Sequence, residues 1–123
     1  MPGLTFGDVR KIGLRLEGVE EATAYGAFCL KVKKKMIACV AINKDAEPNS
    51  LMVRMASIEQ RDALIDEEPD VYYVKPHYEP YPCVLVRLRK ANRDALRDLL
   101  TGAWRQAAAG KPRTRPKVRR TVS

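Results

Sequence analysis

Histidine and cysteine are scarce in this 123-residue chain: His77 stands alone, and Cys29, Cys39 and Cys83 are an odd number with no C-x-x-C pair. That scarcity argues against a disulfide framework or a zinc ribbon, and no H-x-x-x-H or other clustered spacing offers metal ligands. No G-x-x-x-x-G-K or G-x-G-x-x-G occurs, so no loop is built to cradle a nucleotide phosphate. No apolar run approaches the roughly 18 to 20 residues that cross a bilayer; the longest is Met36 to Ile42. The opening Met1-Pro-Gly-Leu-Thr-Phe-Gly-Asp-Val9 has neither a basic n-region nor an apolar h-region. The expectation is a cytoplasmic protein without membrane insertion, metal or cofactor.

The supply of catalytic groups is equally thin. Nucleophilic catalysis needs a nucleophile, a base and a group that orients the base. His77 lies in a Pro/Tyr loop, and Cys29 and Cys39 fall in apolar strand patterns where buried thiols are inert. Glu20-Glu21 and Glu67-Glu68 are paired carboxylates, but adjacent strand residues point to opposite faces and residues at a helix end stay in water. No catalytic residue is assigned, and the chain reads as nonenzymatic.

What is present is charge and pattern. Hydrophobic residues make up 46% and charged residues 31% of the chain, a balance that supports one packed core and argues against disorder for most of its length. The net charge of +8 is unevenly placed. Arg105, Lys111, Arg113, Arg115, Lys117, Arg119 and Arg120 are seven cations without an acid. The preceding residues therefore carry sixteen cations against fifteen acids and are nearly neutral.

Thr5 is placed to cap a first helix with Phe6, Val9, Ile12 and Leu16 on one face and Leu4 stapled to Val9; Gly18 is expected to stop it. From Glu20 to Arg54 the period becomes alternating, and three or four strands fit, at about 21–25, 27–32, 36–42 and 50–55, as an antiparallel meander. Lys33-Lys34-Lys35 supplies the tight turn, and a hairpin centred on Lys34 sets Cys29 opposite Cys39 on one face. Asn43 to Asn49 forms the next turn. Ser57-Ile-Glu-Gln60 is a capping-box pattern opening a second helix, whose Ile58, Arg61, Leu64 and Ile65 face is apolar except for the arginine stem. A short strand at 71–74, a loop from Pro76 to Pro82 and a strong strand at 84–88 follow. Asn92 caps a last helical region that buries Leu96, Leu99, Leu100, Ala103, Trp104 and Ala107, with Gly102 a possible break into two helices. The fold class is α+β: one domain, residues 1–109, with an antiparallel sheet of about five to six strands and three to four helices packed on it. A basic flexible tail, residues 110–123, completes the chain.

The order Phe6-x-x-Val9, Gly18-Val-Glu-Glu21 and Thr23-x-Tyr25-Gly26-x-Phe28 resembles the opening of MmcQ/YjbR-like proteins. Lys31-x-x-x-Lys35-Met36-x-Ala38, Met52-x-Arg54, Arg61-x-x-Leu64 and Val84-Leu-Val-Arg-Leu88 continue the likeness over about residues 4–108. The resemblance implies a compact α+β fold with an antiparallel sheet and DNA binding through a "double-wing" arrangement. The chain departs from the pattern at Glu17 and Cys83, where the family often has proline and tryptophan, and in its extended basic tail.

Two basic features survive as candidate nucleic-acid contacts: Lys31, Lys33, Lys34 and Lys35 at a hairpin tip, and Arg87, Arg89 and Lys90 at the end of a later strand. Positioning contacts to phosphate need only cations and backbone donors. The tail cations Arg113, Arg115, Lys117, Arg119 and Arg120 suit the same role. Full engagement of the seven cations from Arg105 onward limits the salt slope to roughly −6, at about −0.9 per phosphate neutralised. Tyr25, Tyr72, Tyr73, Tyr78 and Tyr81 offer stacking surfaces or core packing. The leading expectation is a nucleic-acid-binding module making mainly backbone contacts. The alternative is a protein- or small-ligand-binding interaction domain using the sheet groove, with the tail for docking or solubility. A basic surface favours the first and an exposed apolar groove the second.

Overall fold

The structure, a computed structural model, describes residues 3–24, 26–41 and 46–109. Tyr25, the segment 42–45 and the expected tail lie outside them.

The first helix, α1 (Phe6–Gly13), begins as its sequence dictates. Thr5 Oγ1 accepts the Asp8 N–H, and the Asp8 carboxylate accepts the Thr5 N–H in return. It ends earlier than expected, at Gly13, with Gly18 placed beyond a separate turn at φ +77°. Beyond Gly13 the hydrogen bonds tighten from four-residue to three-residue spacing, Arg15 to Ile12 and Leu16 to Gly13, so the chain continues as turns. A Cβ on Gly13 would clash with the side chain of buried Leu30, so glycine allows the helix end to press on the sheet before the chain turns away.

Six strands follow: β1 (Val19–Ala24), β2 (Ala27–Val32), β3 (Lys35–Val40), β4 (Ser50–Arg54), β5 (Tyr72–Tyr73) and β6 (Cys83–Arg87). They form one wholly antiparallel sheet in the order β1-β2-β3-β4-β6-β5. Between β4 and β5 runs α2 (Ile58–Glu67), and a short 3-10 turn (Leu88–Lys90) leads to α3 (Arg93–Ala109). Ser57 Oγ caps α2 through the Gln60 N–H, and Asn92 Oδ1 receives the Ala95 N–H at the start of α3.

The β2–β3 turn is shorter than the expected three-lysine connection. Val32 pairs with Lys35, so the turn is Lys33-Lys34 alone, both at positive φ (51° and 68°). That is the backbone of a type I′ hairpin, whose twist matches that of the strands. The register then shifts between Leu30 and Lys31, with Lys31 opposite Met36 and Leu30 opposite Ala38. Ile37 is the extra residue of this bulge, and Ile37 and Ala38 are both buried. The bulge restores the expected Cys29–Cys39 pairing.

The helices cover one face of the sheet. Val9 and Ile12 of α1 and Leu96, Leu100, Ala103 and Ala107 of α3 pack on Leu30, Val32, Ile37, Leu51, Val53, Val84 and Val86. Burying each such large side chain contributes about 1.5–3 kcal/mol. On the other face, one row of opposed residues crosses all six strands: Ala22, Cys29, Cys39, Met52, Leu85 and Tyr73. All three cysteines are buried and unpaired.

Two expectations for the helices are corrected. α3 runs unbroken through Gly102, which is exposed and costs only its intrinsic propensity, about 1 kcal/mol. On α2 it is Ile58 that is exposed, whereas Arg61 is only 3% exposed, guanidinium included.

Candidate binding surfaces

The lysine turn meets the end of α3. Lys33 Nζ donates to the Ala108 carbonyl at 2.8 Å, satisfying an orphan acceptor at the helix C-terminus, where a cation also complements the helix dipole. Trp104 Nε1 fixes the same end of the helix by donating to the Glu17 carbonyl at 2.8 Å. Lys34 is exposed, and Lys31 and Lys35 are half-buried. Lys35 pairs with Val32 on the helix side of the sheet, whereas Lys31 pairs with Met36 on the other face and lies opposite Glu20, so the corner where the described chain ends gathers Lys33, Lys34 and Lys35 but not Lys31. Arg113, Arg115, Lys117, Arg119 and Arg120 lie outside the described residues.

The second basic set sits elsewhere. Arg87 is opposite Ser50, at the end of the sheet away from the Lys33-Lys34 turn. Following the pairings from Ser50 to β3 puts it about six residues, roughly 20 Å, from Lys35 along the strands. The Arg87 guanidinium is also engaged. It holds both Glu47 carboxylate oxygens at 2.7 and 2.8 Å, donates to the carbonyls of Pro69 and Asp70, and lies 4.2 Å over the Tyr73 ring. Its hydrogen bonds hold the Glu47 carboxyl below its ordinary range, and those bonds in turn raise Arg87. Tyr73 OH accepts the Glu47 N–H and meets Ser50 Oγ. Arg87 thus ties a loop to the sheet, while Arg89 and Lys90 stay exposed.

Arg61 performs a similar service. Its Nη1 donates to the carbonyls of Glu79 and Tyr81 at 2.9 and 3.1 Å, and its Nε to Asp62, pinning the Pro/Tyr loop against α2. A charge interrupting an otherwise apolar helix face was the sequence signal for this contact. Of the tyrosines, Tyr72 and Tyr73 are buried and Tyr81 is exposed in the loop; His77 stacks edge-on against Tyr78.

A groove of about 590 Å³ lies between α2 and α3. One stripe of each helix forms its walls: Gln60, Ala63, Leu64 and Glu67 from α2, and Ala95, Leu99, Gly102 and Gln106 from α3. Met55, Tyr72 and Ala103 contribute apolar surface, while Glu68, Asp98 and Arg54 add charge. Helical spacing assigned Leu64 and Leu99 to the covered faces. The small residues Ala63, Ala95 and Gly102 on the facing stripes were the sequence's sign of a gap between the helices. Among the described residues no group of three or more His, Cys, Asp or Glu side chains could hold a metal ion, and no helix is long and apolar enough to cross a membrane.

The family model described as YjbR matches residues 14–106, which contain every strand, α2 and most of α3. The chain belongs to the YjbR family. Uncharacterised proteins of Mycobacterium bovis and Mycobacterium tuberculosis are 44% identical to this YjbR chain over 52 residues. That match covers 42% of this chain and 40% of the mycobacterial proteins' length. A crystal structure of a Deinococcus radiodurans protein with a DUF419 family-model domain superposes with a TM-score of 0.67 at 23% identity, covering 85% of this chain and 78% of that one. This likeness shows a shared fold, which is the α+β fold the resemblance implied.

Proposed function

We propose that this YjbR domain is a nonenzymatic nucleic-acid-binding module that grips the phosphate backbone at one basic corner. The observation that carries the reading is the 2.8 Å bond from Lys33 to the Ala108 carbonyl. It puts the lysine turn beside the point from which Lys111, Arg113, Arg115, Lys117, Arg119 and Arg120 follow in sequence. Cations remote in the chain then act on one stretch of phosphates, and Lys34 and Lys35 supply the folded part of the contact, while Lys31, on the other face of the sheet opposite Glu20, stands outside it. Arg87 is withdrawn from the contact set because Glu47 neutralises it. Arg89 and Lys90 form a separate, weaker site at the far end of the sheet.

Phosphate contacts position a protein without reading bases, so the module binds duplexes of unrelated sequence alike. Fluorescence polarisation with two random duplexes of different composition tests this. Equal affinities, reduced together by Lys34→Glu with Lys35→Glu, support the reading. Affinities unchanged by that double substitution refute it.

The groove, which lies between α2 and α3 and not along the sheet as expected, favours a second reading, a protein- or ligand-binding surface. Its volume lies within the range of small-molecule pockets. Its carboxylates Glu67, Glu68 and Asp98 repel phosphate, which separates it from the basic corner.

A further inference from the structure

We infer that the groove between α2 and α3 is a docking site for the chain's own basic C-terminal segment, Lys111 to Val122, bound in cis. The position of the chain end is the first argument. The groove's lining on α3 extends to Gln106, three residues before the described chain ends at Ala109. Gly110 and Pro112 follow, residue types that end helices and redirect the chain.

Reach is the second. From Ala95 to Gln106 the wall is about 17 Å long at 1.5 Å per residue. An extended chain of six residues spans about 20 Å, and thirteen residues follow Gly110.

Complementarity is the third. Glu67, Glu68 and Asp98 outnumber Arg54 among the charged residues lining the groove. The segment brings six cations and no acid, and its Val118 and Val122 are the apolar side chains suited to Leu64, Leu99 and Tyr72. Tethering supplies an effective concentration in the millimolar range for a short linker, so even a weak contact is populated. The inference does not depend on phosphate binding. If both hold, nucleic acid and groove compete for the same cations, and docking lowers affinity for nucleic acid.

Zero-length carbodiimide crosslinking of the full chain, without nucleic acid and read by mass spectrometry, tests the docking. An equal mixture of ¹⁵N-labelled and unlabelled protein separates links within one chain from links between two. The expected result is that Lys111 or Lys117 joins Glu67, Glu68 or Asp98 within one isotopic chain. The yield should fall several-fold in Ala63→Arg, which puts a cation on an exposed groove wall without removing a linking carboxylate or a core side chain. Links spanning both isotopes would make a second copy the occupant and overturn the cis assignment. Tail links directed mainly to acids outside the groove, such as Glu20 or Glu79, overturn the docking itself, as do links unaffected by Ala63→Arg or no tail links at all.

Discussion

Lys33 and Ala108 are 75 residues apart in sequence, yet the lysine ammonium lies 2.8 Å from the alanine carbonyl oxygen. The lysine that makes this bond has φ 51°, and Lys34 beside it has φ 68°. Left-handed backbone costs a residue bearing a Cβ about 1–2 kcal/mol, and hairpins of this geometry favour Asn-Gly.

The turn therefore carries charge at the expense of stability. Lys34→Gly is expected to raise folding stability by about 0.5–1 kcal/mol, after allowing for the greater entropy glycine loses on folding. The same change should weaken duplex binding. Urea denaturation and polarisation on the same variant check both. Lower stability with unchanged binding would contradict this account of the turn.

Arg61 is a buried charge whose bonds reach two loop carbonyls, those of Glu79 and Tyr81. Arg61→Met keeps the stem but leaves both acceptors without that donor, at about 1–3 kcal/mol for each group left unsatisfied in a buried setting. Because the loop can relax toward water, a total loss of about 2–4 kcal/mol is expected from urea denaturation. Faster proteolysis between Pro76 and Pro82 should accompany it. A loss below about 0.5 kcal/mol would mean that the loop holds its place without the arginine.

The thiols are expected to be inert in the folded protein. Burial first, and then the neighbouring Cys29, push the Cys39 thiol up to about 11. Burial also raises Cys83, against an opposing pull from Arg61. Since the thiolate is the reactive form, Ellman's reagent at pH 8 should modify these cysteines slowly in native protein and all three within minutes in guanidinium. Rapid reaction of one thiol under native conditions would contradict the packing of the second sheet face.

Glu47 predicts a dependence on pH. Its carboxyl is held below its ordinary value of about 4.5, chiefly by the hydrogen bonds from Arg87. A depressed folded-state value contributes stability that is fully present above the ordinary value and is lost as pH falls through the folded one. The side chain is 42% exposed, so solvent screening keeps the effect small. The urea midpoint of Glu47→Gln should lie below that of the unaltered protein at pH 7 and converge with it near pH 3. An equal gap at both values would remove the ion pair from the account.

Much of the fold is legible because its signals are local. Thr5, Ser57 and Asn92 cap the helices their side chains suggest, whereas the expected Cys29–Cys39 pairing is reached only through the bulge at Ile37, which offsets a turn one residue shorter than the lysine run suggests. The missed details depend on contacts between distant segments. Leu30 leaves no room for a side chain at Gly13, and the core side chains Leu100, Ala103 and Ala107 carry α3 through Gly102. Arg87 reads as a free cation in sequence because Glu47, forty residues away, is invisible to periodicity. The groove leaves only the small residues Ala63, Ala95 and Gly102 as a trace in the sequence, since its walls are faces of two helices with no fixed relation along the chain.

The most direct test of the basic corner is the salt dependence of duplex binding for the full chain, for Lys34→Glu with Lys35→Glu, and for a chain ending at Ala109. If turn and tail share one phosphate track, each change should make the slope of log affinity against log salt shallower, by about 0.9 for every phosphate no longer neutralised. The shortened chain should retain weak, salt-sensitive binding that the lysine substitutions then abolish. A slope that the lysine substitutions leave unchanged, with all binding lost on removing the tail, would contradict the claim and place the folded domain's function in the groove.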